Sequence, residues 1–312
     1  PSSDLIQGDW FDPLGRDHHT GDVYINGTSL PEAASLEALR NGDDPGWYAE
    51  TFGDVSTRIN VRFGDVDPNE ELVEVNARPT VFYPSESGRD HITVRGFTMR
   101  HAATQWAPPT TEQIGLIGTH WSKGWRIEDN VISNSRCTGV TLGMFTPEEA
   151  FEESAGGYNE AIDVAIEDRG WTKENVGGHV VRNNVIHDCD QAGMVGSMGS
   201  AFSEVTGNHI YNVNVEEAFA GAEIAGIKFH GAIDAHIANN RIHNVKRGMW
   251  LDWMTQGTRV TGNLMYDNRQ DDLFFEVNHG PSVADNNIML SDLALRTWSN
   301  GGAYAHNLIV GD

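Results

Sequence analysis

Two acidic residues, Asp252 and Glu276, carry the clearest chemical signal in the sequence. Each ends a short segment in which apolar side chains alternate with others. The segments read Gly-Met-Trp-Leu-Asp at 248–252 and Asp-Leu-Phe-Phe-Glu at 272–276. If the two segments stack as neighbouring strands, their final carboxylates face outward side by side. A carboxylate pair of this kind is the equipment that hydrolyses a glycosidic bond.

The elements that must position this pair are repeats. A tripeptide that begins with Asn and ends with Ile or Met starts at Asn130, Asn184, Asn208, Asn240, Asn263, Asn287 and Asn307. Most of the intervals from one tripeptide to the next, which we call steps, are short. The repeated units are rich in Val, Ile, Asn and Gly, and apolar residues alternate in them with period two. Ankyrin and tetratricopeptide arrays keep a period of about 33 residues with helical spacing instead. The sequence therefore predicts an all-β fold, a right-handed parallel β-helix.

The recurring Asn has a structural explanation. Its amide can bond the equivalent Asn and the turn backbone of adjacent coils, which satisfies polar groups that a buried turn would otherwise leave unpaired. The two cysteines, Cys137 and Cys189, are too few for a disulfide framework or a zinc module, and we expect both to pack inside. The chain has no dense metal-ligand motif, so we predict neither a metal nor a cofactor.

Three regions depart from the repeat. Residues 146–177 lengthen one step, and apolar residues at helical spacing around Tyr158 predict a short helical insertion there. A second long step adds a loop at residues 215–223, which could overhang the carboxylates. Residues 1–80 lack the repeat but contain short strand-like segments, which predict a small β subdomain that leads into a β-helix of residues 81–312.

The composition restricts the partners. Lys and Arg total 21 against 45 for Asp and Glu, a formal net charge of -24, which argues against nucleic acid or an acidic polysaccharide as the ligand. There is no apolar stretch long enough to span a membrane and no leader-like segment. We therefore predict no membrane partner and leave localisation open between cytoplasm and secretion. The sequence also leaves open whether the chain forms a homo-oligomer.

An alignment of the coils predicts which side chains are neighbours. The outward side chains at equivalent positions of successive coils are His230, Asp252 and Glu276, and we call this row the outward column. Lys228 and Trp250 form the equivalent row two residues earlier in each strand. Adjacent parallel strands lie about 4.8 Å apart, so we expect carboxyl groups roughly 5–6 Å apart. Retaining glycosidases hold their carboxylates about 5–5.5 Å apart, whereas inverting enzymes need about 6.5–9.5 Å. Apolar neighbours favour a protonated acid/base at Glu276, while Lys228 and His230 favour an ionised nucleophile at Asp252.

A sugar also needs aromatic faces and fixed polar groups. The residues that we predict to contact substrate are Glu223, Lys228, His230, Trp253, Asn278, His279, His120 and Trp121. Trp250 and Trp106 are further candidates for an aromatic face. Individually each is a weak signal, because a lone tryptophan or histidine is more often part of the packing.

The longer motifs around these residues resemble glycoside hydrolase family 120, the β-helix β-xylosidases. The likeness covers roughly residues 47–295 and is carried by the segments at 101–110, 113–125, 223–232, 248–259 and 272–281. It implies a retaining exo-acting β-xylosidase that releases xylose from the non-reducing end of xylo-oligosaccharides through a covalent glycosyl-enzyme. The resemblance assigns Asp252 as nucleophile and Glu276 as acid/base. It also implies a β-sandwich region inserted near the start of the helix, which fits the non-repeating first 80 residues.

Two other functions are compatible with a β-helix. A polysaccharide lyase or polygalacturonase would need several cations for uronate groups or acids arranged around calcium, yet the site offers Lys228 in a strongly negative background. A non-catalytic carbohydrate-binding solenoid, such as an adhesin or tailspike segment, would need no paired carboxylates in one column.

Overall fold

The computed structural model describes residues 4–53, 56–145, 152, 154–168 and 170–311. Its N-terminal elements are β1 (Phe11–Asp12), β2 (Val23–Ile25), β3 (Thr28–Ser29), α1 (Leu36–Asn41), β4 (Gly46–Phe52), β5 (Ser56–Arg62) and β6 (Val73–Val75). The elements that follow, through the first long step of the repeat, are β7 (Thr93–Arg95), β8 (Thr98–Ala102), β9 (Ile117–Gly118), β10 (Arg126–Glu128), β11 (Val131–Ser135), β12 (Thr138–Thr141) and α2 (Ala155–Asp168).

The remaining strands belong mostly to short, regular coils. They are β13 (Val180–Arg182), β14 (Val185–Cys189), β15 (Ala192–Ser197), β16 (Glu204–Thr206), β17 (His209–Val213), β18 (Ala220–Gly221), β19 (Ala225–His230), β20 (His236–Ala238) and β21 (Arg241–His243). The last coils contain β22 (Met249–Asp252), β23 (Arg259–Thr261), β24 (Leu264–Tyr266), β25 (Asp271–Glu276), β26 (Ser282–Asp285), β27 (Ile288–Met289), β28 (Leu293–Trp298), β29 (Gly302–Ala305) and β30 (Leu308–Ile309).

The predicted parallel β-helix is present, and three parallel sheets run along it. Among the described residues, sheet 1 has the order β7-β10-β13-β16-β20-β23-β26-β29 and sheet 2 the order β8-β11-β14-β17-β21-β24-β27-β30. Sheet 3 has the order β9-β12-β15-β19-β22-β25-β28. Each complete coil therefore adds one strand to each sheet, and the inward side chains of successive coils stack into one continuous core.

The predicted alignment of sheet 3 is confirmed. His230 pairs with Asp252, and Leu251 pairs with Phe275, so the next pair in this register is Asp252 and Glu276. Leu251 and Phe275 are buried in the core. Because successive side chains of a strand point to opposite faces, the two carboxylates lie on the outer face.

The repeated asparagines form the ladder that we predicted. The amide of Asn208 donates to Asn240 at 3.0 Å, and Asn240 donates to Asn263 at 3.0 Å. The same bond links the other members from Asn130 to Asn307. Each amide also donates to a backbone carbonyl, for example from Asn240 to Val205 at 3.0 Å. The ladder fixes the register of the coils by satisfying polar groups in the interior.

The N-terminal elements form small antiparallel sheets, β3-β2-β6 and β4-β5, while β1 pairs with β18 of the solenoid. Arg136 joins this region to the solenoid through a buried network. Its guanidinium contacts Glu32 at 2.8 Å and Asp190 at 2.9 Å, and it donates to the carbonyl of His19 at 2.9 Å. A domain boundary after residue 80 stays a prediction.

The predicted helical insertion is present as α2, although residues 146–151, 153 and 169 lie outside the described part of the chain. Cys137 and Cys189 are both buried free thiols, as expected. Of the helices that the structure describes, none has the length and apolarity needed to cross a membrane.

Candidate active site

Asp252 ends β22 on the outer face of sheet 3. Its Oδ2 lies 2.6 Å from Lys228 Nζ and 3.7 Å from His230 Nε2. The backbone N–H of Trp253 donates to Oδ1 at 2.7 Å. Burial alone would raise the pKa of Asp252, but Lys228, His230 and these hydrogen bonds outweigh it and hold the pKa below its usual value. Asp252 is therefore ionised near neutral pH.

Lys228 and Glu223 complete a buried charged cluster around this carboxylate. Lys228 is 1% exposed, and its ammonium also lies 3.5 Å from Glu223 Oε1. Glu223 Oε2 lies 3.3 Å from His230 Nε2. Burial opposes the charge of Glu223, yet Lys228 and His230 lower its pKa. Two carboxylates thus surround one ammonium, which leaves one excess negative charge when His230 is neutral.

Glu276 ends β25, one coil further along. The indole N–H of Trp250 donates to Glu276 Oε2 at 2.9 Å. Burial, followed by the negative charge of Asp252, raises the pKa of Glu276, although Lys228, the Trp250 bond and Arg247 act in the opposite direction. The pair thus combines one carboxyl group with a lowered pKa and one with a raised pKa. A nucleophile must be ionised and a general acid must be protonated, so the two shifts suit these two roles.

The Trp250 ring that holds Glu276 is itself fixed between two cations. Lys228 Nζ lies 3.2 Å from its ring centroid, and the Arg247 guanidinium carbon lies 4.1 Å from it. Arg247 in turn donates to the buried Asp271 at 2.9 Å. This stacking restricts the indole, so the N–H keeps a defined direction toward the carboxylate.

One group among the described residues has the spacing of metal ligands. It consists of Glu223, His230 and Asp252, with ligand atoms within 4.8 Å of one another. The Lys228 ammonium contacts both carboxylates of this group. Because a cation already neutralises part of their charge, the arrangement is explained by an ion-pair network.

The structure brings only some of the other predicted residues to the carboxylate pair. Trp253 is half-buried beside Asp252 and its ring lies 5.9 Å from that of Tyr158. The amide of Asn278 braces the turn, since its nitrogen can donate to the carbonyls of Leu251 at 3.1 Å and Glu276 at 3.0 Å. His279 is exposed, and its backbone N–H donates to Thr255.

His120 and Trp121 lie several coils before the carboxylate pair along sheet 3. The strand pairing puts His120 three coils before His230, roughly 14 Å away along the axis. There the His120 ring stacks on Tyr83 at 5.2 Å. Trp121 is buried in an apolar cluster under α2. Trp106 is also buried, with its indole N–H bonded to the carbonyl of Asp9 at 2.9 Å.

Two residues near the site, Tyr158 and Trp298, are not among the residues that the sequence predicts to form it. Tyr158 of α2 is buried, its hydroxyl lies 2.9 Å from Ser197 Oγ, and its ring meets His230 edge-on at 5.5 Å. The helical spacing predicts the helix but not where it docks. Trp298 pairs with Glu276 in the next strand. Extending the column by one more coil would have found it.

The fold is a parallel β-helix, and its outer face holds one carboxyl group with a lowered pKa beside one with a raised pKa. These features are typical of a β-helix protein with a glycosidase-type site. A family model described as right handed beta helix region matches residues 114–309, and one described as glycoside hydrolase 120, insertion domain, matches residues 1–46. The structure of "XylC with xylose" is 42% identical, with a TM-score of 0.92. The chain belongs to glycoside hydrolase family 120.

The extent of these similarities differs. The alignment with XylC covers 98% of this chain and 53% of that one, so the chain spans about half the length of XylC. A structure described as a glycoside hydrolase is 11% identical, with a TM-score of 0.51 and coverage of 98% and 82%; it shows the fold alone. Among curated proteins, none matches the chain.

Proposed function

We propose that this chain carries the catalytic site of a retaining, exo-acting β-xylosidase that releases xylose from the non-reducing end of xylo-oligosaccharides. The observation that carries the proposal is the pair formed by Asp252 and Glu276 on adjacent strands. Adjacent parallel strands are about 4.8 Å apart, a spacing that suits direct attack by one carboxylate better than insertion of a water molecule. The similarity to a structure of XylC with xylose supports the choice of sugar.

In the first step, Asp252 Oδ attacks the anomeric carbon. The bond from that carbon to the leaving oxygen breaks, and Glu276 transfers its proton to the oxygen. The product is an Asp252 glycosyl ester and a free alcohol. The opposite pKa shifts prepare both groups, because the nucleophile is already ionised and the acid retains its proton to higher pH.

In the second step, Glu276, now ionised, removes a proton from water. The water oxygen attacks the anomeric carbon, the ester bond to Asp252 breaks, and xylose leaves with its original configuration. Before the first step, the cluster of Glu223, Lys228 and Asp252 carries one excess negative charge when His230 is neutral. In each transition state the bond between Asp252 and the sugar is only partly formed, so Asp252 carries a partial negative charge that stabilises the positive charge on the sugar.

The proposed exo-action is supported by the asymmetry of the column. On the His230 side, Tyr158 packs edge-on against His230 and lies 5.9 Å from Trp253. Helix α2 therefore covers the end where a sugar over Asp252 would meet further residues of a chain. On the Glu276 side, the column continues with Trp298 on the outer face of the next strand.

The activity is tested by incubating the protein with xylobiose and with an aryl β-xyloside, and by following xylose and phenol release. Hydrolysis of both, with slower turnover of the matching aryl β-glucoside, is the expected result. Binding without hydrolysis would favour a carbohydrate-binding solenoid. Cleavage confined to an acidic polysaccharide would favour a lyase or polygalacturonase.

We expect kcat/KM to be bell-shaped in pH, with an alkaline limb set by Glu276. Asp252 must be ionised, so activity falls below its lowered pKa; Glu276 must be protonated, so activity falls above its raised pKa. Replacing Trp250 by Phe removes a donor that stabilises the ionised form of Glu276. The alkaline limb should therefore move to higher pH in Trp250→Phe.

The matched control for this shift is Trp253→Phe. It retains the backbone N–H that contacts Asp252, so its alkaline limb should coincide with that of the native protein. A limb that moves to lower pH in Trp250→Phe, or that moves equally in both variants, would contradict the assignment of Glu276 as the acid.

A further inference from the structure

An outward-facing tryptophan adjoins the proposed acid/base residue on the side away from the proposed nucleophile. Trp298 ends β28 and pairs with Glu276, so both side chains project from the same outer face about 4.8 Å apart along the solenoid. It is 64% exposed. Large aromatic side chains with one open face are a common means of binding the C–H surface of a sugar ring.

Neighbouring side chains hold this ring in place. Trp298 meets Phe274 edge-on at 5.1 Å, and the guanidinium carbon of Arg296 lies 5.6 Å from its ring centroid. Arg296 is anchored through Nε to Asp271 Oδ1 at 2.7 Å, and Asp271 is fully buried. Arg247 binds the other oxygen of the same carboxylate at 2.9 Å. The indole is therefore supported from below by the network that also fixes Trp250.

The order of the column gives the site a direction. Successive coils present His230, Asp252, Glu276 and Trp298. The anomeric carbon must lie over the nucleophile and the leaving oxygen beside the acid, so the leaving group extends from Asp252 past Glu276. The next surface in that direction is the indole of Trp298.

We propose that Trp298 is the platform of a leaving-group subsite, on which the pyranose ring attached to the departing oxygen stacks. The inference rests on the proposed function, because it takes the direction of the substrate from the roles of the two carboxylates. The ligand class is a β-linked pyranosyl leaving group, such as the second xylose of xylobiose. Trp298 thus determines the preference for sugar leaving groups over small ones.

The experiment compares two substrates that share a xylosyl group and differ in the leaving group. Xylobiose carries a ring that can stack on Trp298, whereas β-xylosyl fluoride releases fluoride and has no ring there. For Trp298→Ala we expect kcat/KM on xylobiose to fall by about tenfold or more, which corresponds to the loss of a good aromatic contact. On the fluoride, kcat/KM should stay within about twofold of the native value, and Trp298→Phe should recover most of the xylobiose activity.

The matched control is Phe97→Ala, which removes an exposed aromatic side chain near the other end of the solenoid. It should leave kcat/KM unchanged for both substrates. An unchanged kcat/KM for xylobiose in Trp298→Ala overturns the inference. An equal loss on both substrates also overturns it, because the residue would then act on the carboxylate pair. If the native protein hydrolyses neither substrate, the proposed function fails and the subsite with it.

Discussion

Asp252→Asn should lower kcat/KM for an aryl β-xyloside by about 10⁴-fold or more, since it removes the proposed nucleophile and leaves only binding and acid catalysis. Asn keeps the shape of the side chain and an oxygen that can accept from Lys228 Nζ, which lies 2.6 Å from Asp252 Oδ2. We therefore expect the variant to remain folded. Steady-state kinetics and a thermal unfolding curve measure the two properties separately.

The control for this variant is Asp292→Asn, which changes an exposed aspartate in the next coil. Its activity should match that of the native protein. Activity of Asp252→Asn within about tenfold of native, in a sample that contains no native protein, would remove Asp252 from the nucleophile role. Loss of activity together with unfolding would instead assign the carboxylate a structural task.

Glu276→Ala should have effects that depend on the leaving group. With xylobiose, whose leaving oxygen needs a proton, we expect a loss of about 10²–10⁴-fold. With a dinitrophenyl xyloside the first step needs little acid, so the glycosyl ester of Asp252 accumulates because no base activates water. Added azide attacks this ester without a base and should restore turnover with formation of β-xylosyl azide.

Glu204→Ala is a suitable comparison, because Glu204 is an exposed glutamate on sheet 1. It should behave as the native protein with and without azide. If Glu276→Ala loses activity on both substrates to the same extent, and azide restores activity on neither, Glu276 does not act as the acid/base. Formation of the α-azide would contradict the covalent step itself.

The register of the site was predictable from sequence because a parallel β-helix has few degrees of freedom. The Asn ladder sets which coils are neighbours, and the alternation of Leu251 and Asp252 sets which side chains face outward. Those two constraints are enough to place Asp252 beside Glu276 and Lys228 beside Trp250. The carboxylate pair therefore follows from local pattern alone.

What the sequence could not give is the set of contacts that depend on docking and on side-chain direction. Tyr158 contacts His230 from a helix that lies outside the repeat. The strand register of the coils therefore does not predict that these two residues are neighbours. The bond from Trp250 to Glu276 depends on the rotamer of an indole held between Lys228 and Arg247. By contrast, Trp121 carries a plausible residue type, yet it serves packing under α2.

The structure also couples the charges of Asp252 and Glu276. The negative charge of Asp252 helps to raise the pKa of Glu276, and Lys228 lowers the pKa of both. A change at either carboxylate should therefore alter the titration of the other, as expected for coupled sites. In the proposed mechanism this coupling has a use, because conversion of Asp252 to an uncharged ester lowers the pKa of Glu276 when it must become a base.

The most direct test of a covalent mechanism at this carboxylate pair is the configuration of the sugar first released. Hydrolysis of an aryl β-xyloside is followed by proton NMR from the earliest time points, before the free sugar equilibrates between its anomers. We predict that β-xylose appears first and α-xylose only later, through mutarotation. Initial release of α-xylose would show inversion and would contradict attack by Asp252 on the anomeric carbon.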